Sequence, residues 1–338
     1  MPLDDDSFRL ESGLLVPRSR RQFLAALGAV GLGAVAVACT KSANGGPAAG
    51  SSASAAPGSL IDRKDGNEQL SLFSGGGEPD TPLVPGKQLF GFALTTPQSQ
   101  IVSGGSPSVY VAKDQTSPMS GPYPATWYLF KGYDATGDTS PRSPIATGLY
   151  SARVDFPTPG NWYVLAEIQG ASGKAVGIGA VTVAASANNA PGTKATSVRT
   201  PVATTEKGIK AICTSPVCHM HTISLDKALK NGKPTVVGFS TPALCQSKLC
   251  GPVNDEQILV SWKYGKQANF IHVEEFLPGP DFKPPVPTEQ NQSPGFRAWG
   301  LLSEPWCFVI DRKGVINAAL GPGPIVAPQI EDELKRVL

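Results

Sequence analysis

Apolar positions alternate through the middle of the chain and then change period toward its end. Short runs at 88–95, 108–113, 126–131, 148–156, 161–168 and 175–183 are separated by Gly and Pro, the pattern of antiparallel strands with two unlike faces. Within Asn161-Trp-Tyr-Val-Leu-Ala-Glu-Ile168, alternation puts Trp162, Val164 and Ala166 on one face and Tyr163, Leu165 and Glu167 on the other. Beyond residue 208 strands and helices are mixed. A short helix at 225–230 stops at Asn231-Gly232, and Pro234-Thr-Val-Val-Gly-Phe239 is a buried-strand run. A helix follows from Pro252 to Gly265, with Asn254, Asp255 and Glu256 at its positive end and Ile258, Leu259 and Trp262 as its apolar stripe. Next come a strand at 268–276, a Pro-rich loop, a helix around 296–299, and a hairpin of 306–311 and 315–320 turned at Arg312-Lys-Gly314. The last helix has Ile330, Leu334, Val337 and Leu338 at helical spacing, with its acids before its bases.

These elements divide the chain of 338 residues. The expected parts are a signal at 1–39, a flexible tether at 40–69, an all-β domain at 70–185, a linker of Ala, Thr, Asn, Pro and Gly at 186–207, and an α/β domain at 208–338. The all-β pattern resembles an immunoglobulin-like β-sandwich, a fold that hosts many roles, here a partner-docking or spacer module. A net charge of +2 and the lack of a basic stripe interleaved with aromatics argue against a nucleic-acid partner.

The first forty residues bear on compartment. Ser19-Arg20-Arg21-Gln22-Phe23-Leu24 precedes an uncharged stretch too short and too rich in Gly and Ala for a membrane span, so it reads as a signal peptide. Arg20 and Arg21 followed by Phe-Leu resemble the twin-arginine export signal. Ala36-Val-Ala-Cys39 resembles a bacterial lipoprotein cleavage box, with Ala36 where Leu is usual. That resemblance implies a lipid on Cys39 and anchorage to the outer face of the cytoplasmic membrane; a plain cleaved signal is the alternative. About thirty tether residues would hold the folded part on the order of 30 Å from the membrane.

Six cysteines remain to be placed, and five lie after residue 210. Cys245 and Cys250 sit where the strand ending at Phe239 meets the following helix. A thiol at a helix N-terminus ionises more readily, and the thiolate is the nucleophile. Five residues of α-helix rise about 7.5 Å, whereas a disulfide wants its Cα atoms about 4.4 to 6.8 Å apart, so Cys245 belongs to the loop. The alternative is a pair of ordinary buried thiols or an inert staple.

The order of elements, with Cys245 at the junction and Glu304-Pro305-Trp306-Cys307-Phe308-Val309-Ile310-Asp311 opening the hairpin, resembles the thioredoxin-like superfamily over about the last 130 residues. It is most similar to the exported, membrane-tethered thiol-disulfide oxidoreductases. The resemblance implies an α/β thioredoxin-like domain and a cis Pro305 opposite the active thiols. It also implies Cys245 as nucleophile and Cys250 as resolving thiol, extracytoplasmic cysteine-containing proteins as partners, and no cofactor. Four residues separate the thiols here, where that family usually has two.

Two other chemistries compete. The same four-residue spacing occurs in one class of peroxiredoxin, but Glu304 and Pro305 stand where that family places an arginine. Cys213-Thr-Ser-Pro-Val-Cys218-His219-Met220-His221 gathers soft ligands suited to Cu(I) or Zn(II). Copper chaperones of the Sco type add a late histidine, and none follows His272. The expectation is therefore that Cys213 and Cys218 close a small structural disulfide, with solvent-facing histidines and no metal. His272 is expected to be a satisfied strand residue. Cys307 is either a buried small hydrophobe or a third redox partner. A binding lipoprotein without catalysis remains the non-enzymatic alternative.

Overall fold

A computed structural model of the protein describes residues 58–64, 68–74, 83–130, 148–170, 173–244, 249–278 and 288–338. Arg20, Arg21, Cys39, the tether up to residue 57 and Cys245 lie outside the described residues.

Among the described residues the first half is all β apart from a single helical turn, α1 (Leu60–Lys64). Its strands are β1 (Glu68–Ser74), β2 (Gly86–Thr95), β3 (Ser108–Ala112), β4 (Ser120–Leu129), β5 (Gly148–Phe156), β6 (Gly160–Gly170) and β7 (Gly173–Val183). They close into a barrel in the order β1-β2-β5-β4-β3-β6-β7, which corrects the expected immunoglobulin-like sandwich. The closing element is β1, antiparallel to β2 on one side and parallel to β7 on the other. Glycines make that closure possible: a Cβ at Gly179 would lie 2.9 Å from the Leu72 carbonyl oxygen, and one at Gly177 would lie 2.3 Å from Leu94 Cδ2. Alternate residues point inward, so Phe90, Phe92, Leu94, Tyr150, Phe156 and Trp162 fill the interior. The buried Tyr150 keeps its hydroxyl paired by donating to the Gly104 carbonyl at 2.7 Å.

The second half contains α2 (Glu206–Lys210), α3 (Leu225–Ala228), β8 (Thr235–Phe239), α4 (Cys250–Tyr264), β9 (Asn269–Val273), α5 (Pro294–Trp299), β10 (Trp306–Ile310), β11 (Ile316–Leu320) and α6 (Ala327–Lys335). Its sheet has the order β11-β10-β8-β9, with β8 and β9 parallel and the other pairs antiparallel. The central strands are fully buried because helices cover both faces. Val236, Phe270 and Val309 meet Val253 and Ile258 of α4 and Ile330 and Leu334 of α6. Val237, Phe239, Ile271 and Phe308 meet Leu225 of α3 and Phe296 and Trp299 of α5. This β-α-β-α-β-β-α order around a four-stranded mixed sheet is a thioredoxin-like fold.

The two halves share apolar surface and one helix. Phe130 and Leu149 of the barrel lie in the same buried cluster as Ile330 and Leu334. Beside that patch Tyr128 Oη donates to Asp332 at 2.9 Å, Arg153 pairs with Glu333, and Gln329 donates to Ser151 Oγ at 3.3 Å. The connecting stretch runs along β11: Gly192 N–H donates to the Ile316 carbonyl at 2.8 Å, and Ile316 N–H to Thr193 at 2.9 Å.

Candidate functional site: cysteines and histidines around the end of strand β8

Strand β8 delivers the chain to Ser240 and Thr241, both buried, and the loop then turns as Leu244 N–H donates to the Thr241 carbonyl at 3.0 Å. Thr241 Oγ1 anchors this turn by accepting from the Glu275 and Phe276 amides at 2.8 and 3.2 Å. Cys250 is the first residue of α4, is sealed from solvent, and is disulfide-bonded. Pro252, expected as the first helical residue, is therefore the third. Glu256 of α4 accepts from the Ala327 amide at 2.7 Å and so caps the start of α6. The apolar stripe is also corrected: Val253, Ile258, Val260 and Tyr264 are buried, whereas Trp262 is 57 % exposed.

The Glu304–Pro305 peptide is cis, and Pro305 is buried directly before Trp306, whose register partner is Phe239 at the end of β8. Three carboxyl groups gather here. Burial, then the charges of Glu275 and Glu274, push Glu304 up to about 8, against a hydrogen bond from the Thr241 backbone. Burial likewise raises Glu274 and Glu275. Glu274 accepts from Thr214 N–H at 2.6 Å and from its hydroxyl at 3.0 Å.

The other cysteine pair lies on the α4 side of the sheet. Cys213 and Cys218 are buried free thiols, which corrects the expected staple between them. His221, expected at the surface, is 2 % exposed, and His272 reaches the same point from β9. Cys213 Sγ lies 3.3 Å from His272 Nδ1, Cys218 Sγ 3.5 Å from His221 Nε2, and Cys218 Sγ 3.6 Å from His272 Nδ1. One ligand atom from each of the four residues falls within 4.8 Å of every other. His219, a candidate from sequence, is outside this group: it contacts Ser261 Oγ at 2.8 Å and stacks on Trp262.

The cluster holds charge without solvent. Burial opposes ionisation of Cys218, but the Cys213 thiol, the His272 charge and the His221 hydrogen bond together hold it well below the ordinary thiol range. Burial lowers His272, yet the Cys218 charge outweighs it and leaves the imidazole at about 9. Burial and the neighbouring Cys218 push Cys213 far up. Cys307, sealed among apolar side chains, is pushed above the ordinary thiol range by burial alone.

His272 was missed as a member of this cluster because an apolar strand hid it and 50 residues separate it from His221. The available signal was scarcity: it is one of only three histidines in the chain.

No protein-family model matches the chain, and no curated protein matches it. Among solved structures it is similar to a thiol:disulfide interchange protein of the thioredoxin family from Chlorobium tepidum TLS. The identity is 18 %, with 41 % of this chain and 97 % of that chain covered, at a TM-score of 0.25. A likeness of that size assigns no chemistry here, so the thioredoxin-like description of the second half rests on its own strand order.

Proposed function

We propose that the chain exchanges disulfides with cysteine-containing proteins through Cys245 and Cys250, outside the cytoplasm. The observation that carries this reading is the disulfide on Cys250 at the first position of α4, where the loop from β8 enters the helix. Cys245 is the proposed partner, five residues earlier in that loop. Oxidation of a substrate then balances as follows. A substrate thiolate attacks the Cys245 sulfur, the Cys245–Cys250 bond breaks, and Cys250 departs as a thiolate favoured by the α4 N-terminus. A second substrate thiolate displaces Cys245, leaving a substrate disulfide and a reduced pair; the reverse sequence reduces a substrate. Burial of Cys250 suits the resolving role, because an incoming protein cannot reach its sulfur directly. Export through the Arg20-Arg21 signal and a lipid on Cys39 belong to the same proposal, and would supply a compartment in which disulfides persist.

Disulfide mapping together with trapping tests it. A Cys245–Cys250 peptide is expected in the oxidised protein, and Cys250→Ser should accumulate mixed disulfides through Cys245. Finding Cys250 still bonded in Cys245→Ser would reject the pairing, and a bond that survives strong dithiol reductant in the folded protein would make it a staple.

A further inference from the structure

We propose that Cys213, Cys218, His221 and His272 form a closed binding site for zinc, and that the metal fixes the base of the loop carrying Cys245. The donor set is two thiols and two imidazoles, which suits a tetrahedral ion of this softness. The spacing fits as well. Zn–S near 2.3 Å and Zn–N near 2.05 Å give a sulfur-to-nitrogen edge of about 3.5 Å in a tetrahedron, against 3.3, 3.5 and 3.6 Å between these atoms.

The surroundings are built for ligation. His272 donates its Nε2–H to the Ser240 carbonyl at 3.0 Å, so Nδ1 is the nitrogen aimed at both sulfurs and the one that would give up its proton to a bound ion. Ser215 N–H points at Cys213 Sγ at 3.4 Å, a contact that stabilises a coordinated thiolate. All four ligands are buried. A closed four-ligand site holds the chain rather than opening a position to substrate.

What it holds is the approach to Cys245. Thr214, next to the first ligand, accepts from the Ala243 amide at 3.2 Å through its hydroxyl, two residues before Cys245. His272 grips Ser240 at the other end of the same short segment. The ion would therefore join the 213–221 loop, strand β9 and the start of the thiol loop.

The test uses the full folded chain, reduced and then given zinc alone or cobalt(II) alone in anaerobic buffer. The expected result is one zinc per chain, an increase in Tm on loading, and the absorption of tetrahedral cobalt with thiolate-to-metal charge transfer. Cys218→Ser and His272→Ala should lose that stoichiometry and the cobalt spectrum. His219→Ala, outside the cluster, should keep both. A Cys245→Ser/Cys250→Ser double variant should also keep both, which separates this site from the proposed exchange pair. Several outcomes overturn the assignment: folded wild-type protein, judged by circular dichroism, that binds no zinc; zinc retained by His272→Ala; Cu(I) binding without zinc binding; or a Cys213–Cys218 disulfide in protein never exposed to oxidant.

Discussion

Cys213 and Cys218 are separated by four residues, and so are Cys245 and Cys250, yet Cys250 and the first pair differ in state and in neighbours. Cys250 opens a helix and is disulfide-bonded. Cys213 and Cys218 remain free and meet two buried imidazoles. Spacing sets only what two sulfurs can reach. The groups around them decide whether they exchange electrons or hold a cation.

The sharpest way to break this comparison is to remove one sulfur from each pair. Cys250→Ser is expected to abolish turnover of a protein disulfide, measured by insulin reduction or by oxidation of a reduced peptide. Cys218→Ser is expected to slow exchange without abolishing it in the molecules that remain folded, because the base of the thiol loop loses its metal anchor, and to lower stability by several kcal/mol, read by urea unfolding with zinc present. Equal loss of turnover per folded molecule in both variants would mean that the pairs act as one unit.

Among the described residues Thr214 is one of two contacts between the cluster and the start of the thiol loop, so its replacement sharpens the comparison next. Thr214→Val removes the hydroxyl that donates to Glu274 and accepts from Ala243. It should cost about 1 to 3 kcal/mol and slow exchange, with the zinc stoichiometry unchanged.

Glu304 supplies a pH dependence specific to the exchange side. Its folded value is raised from 4.5 to about 8 by burial and the neighbouring carboxylates. The folded protein therefore keeps a proton that the unfolded chain releases. The stabilising contribution is complete below about pH 4.5 and is lost as pH rises through about 8. Glu304→Gln should flatten the decline of Tm between those values, measured at fixed ionic strength, and an unchanged slope would assign the decline to another group.

The smallest effect is a control remote from both pairs. Tyr128→Phe removes the hydrogen bond to Asp332 where the barrel meets α6. It should cost about 0.5 to 1.5 kcal/mol in urea unfolding without changing exchange or metal content.

Much of this molecule is legible in the chain, and the parts that are not share a cause. Six of the barrel strands announce themselves by alternation, β8 by a continuous apolar run, the hairpin by its Arg312-Lys-Gly314 turn, and the last helix by helical spacing. The seventh barrel strand was hidden. Glu68-Gln-Leu-Ser-Leu-Phe-Ser74 alternates for only a few residues, between a tether-like stretch and Gly75-Gly-Gly77, so the boundary drawn at residue 69 cuts through it and no strand is read there. Gly177 and Gly179 look like weak points in a strand, when Gly179 marks the close approach of Leu72 in that same segment and Gly177 that of Leu94 in β2. With β1 unseen, an open sandwich is the natural inference; with it, the sheet closes. The metal-like cluster repeats the lesson, because Cys213 to His221 is local and visible whereas His272 arrives through parallel pairing of β9 with β8. Trp262 differs: helical spacing put it on an apolar face, but α4 is buried on several sides and the indole falls, with Lys263, on its exposed face.

The parallel pairing of β1 with β7 makes the barrel depend on a clasp near the amino-terminal end of its own chain. A protease cutting between that clasp and β2 and releasing it would bare the backbone donors and acceptors of β2 and β7 together, two adjacent templates able to recruit strands from a neighbouring molecule. Clipping there should therefore yield oligomers rather than a merely loosened monomer, which ties the solubility of the whole protein to the seven residues of that segment.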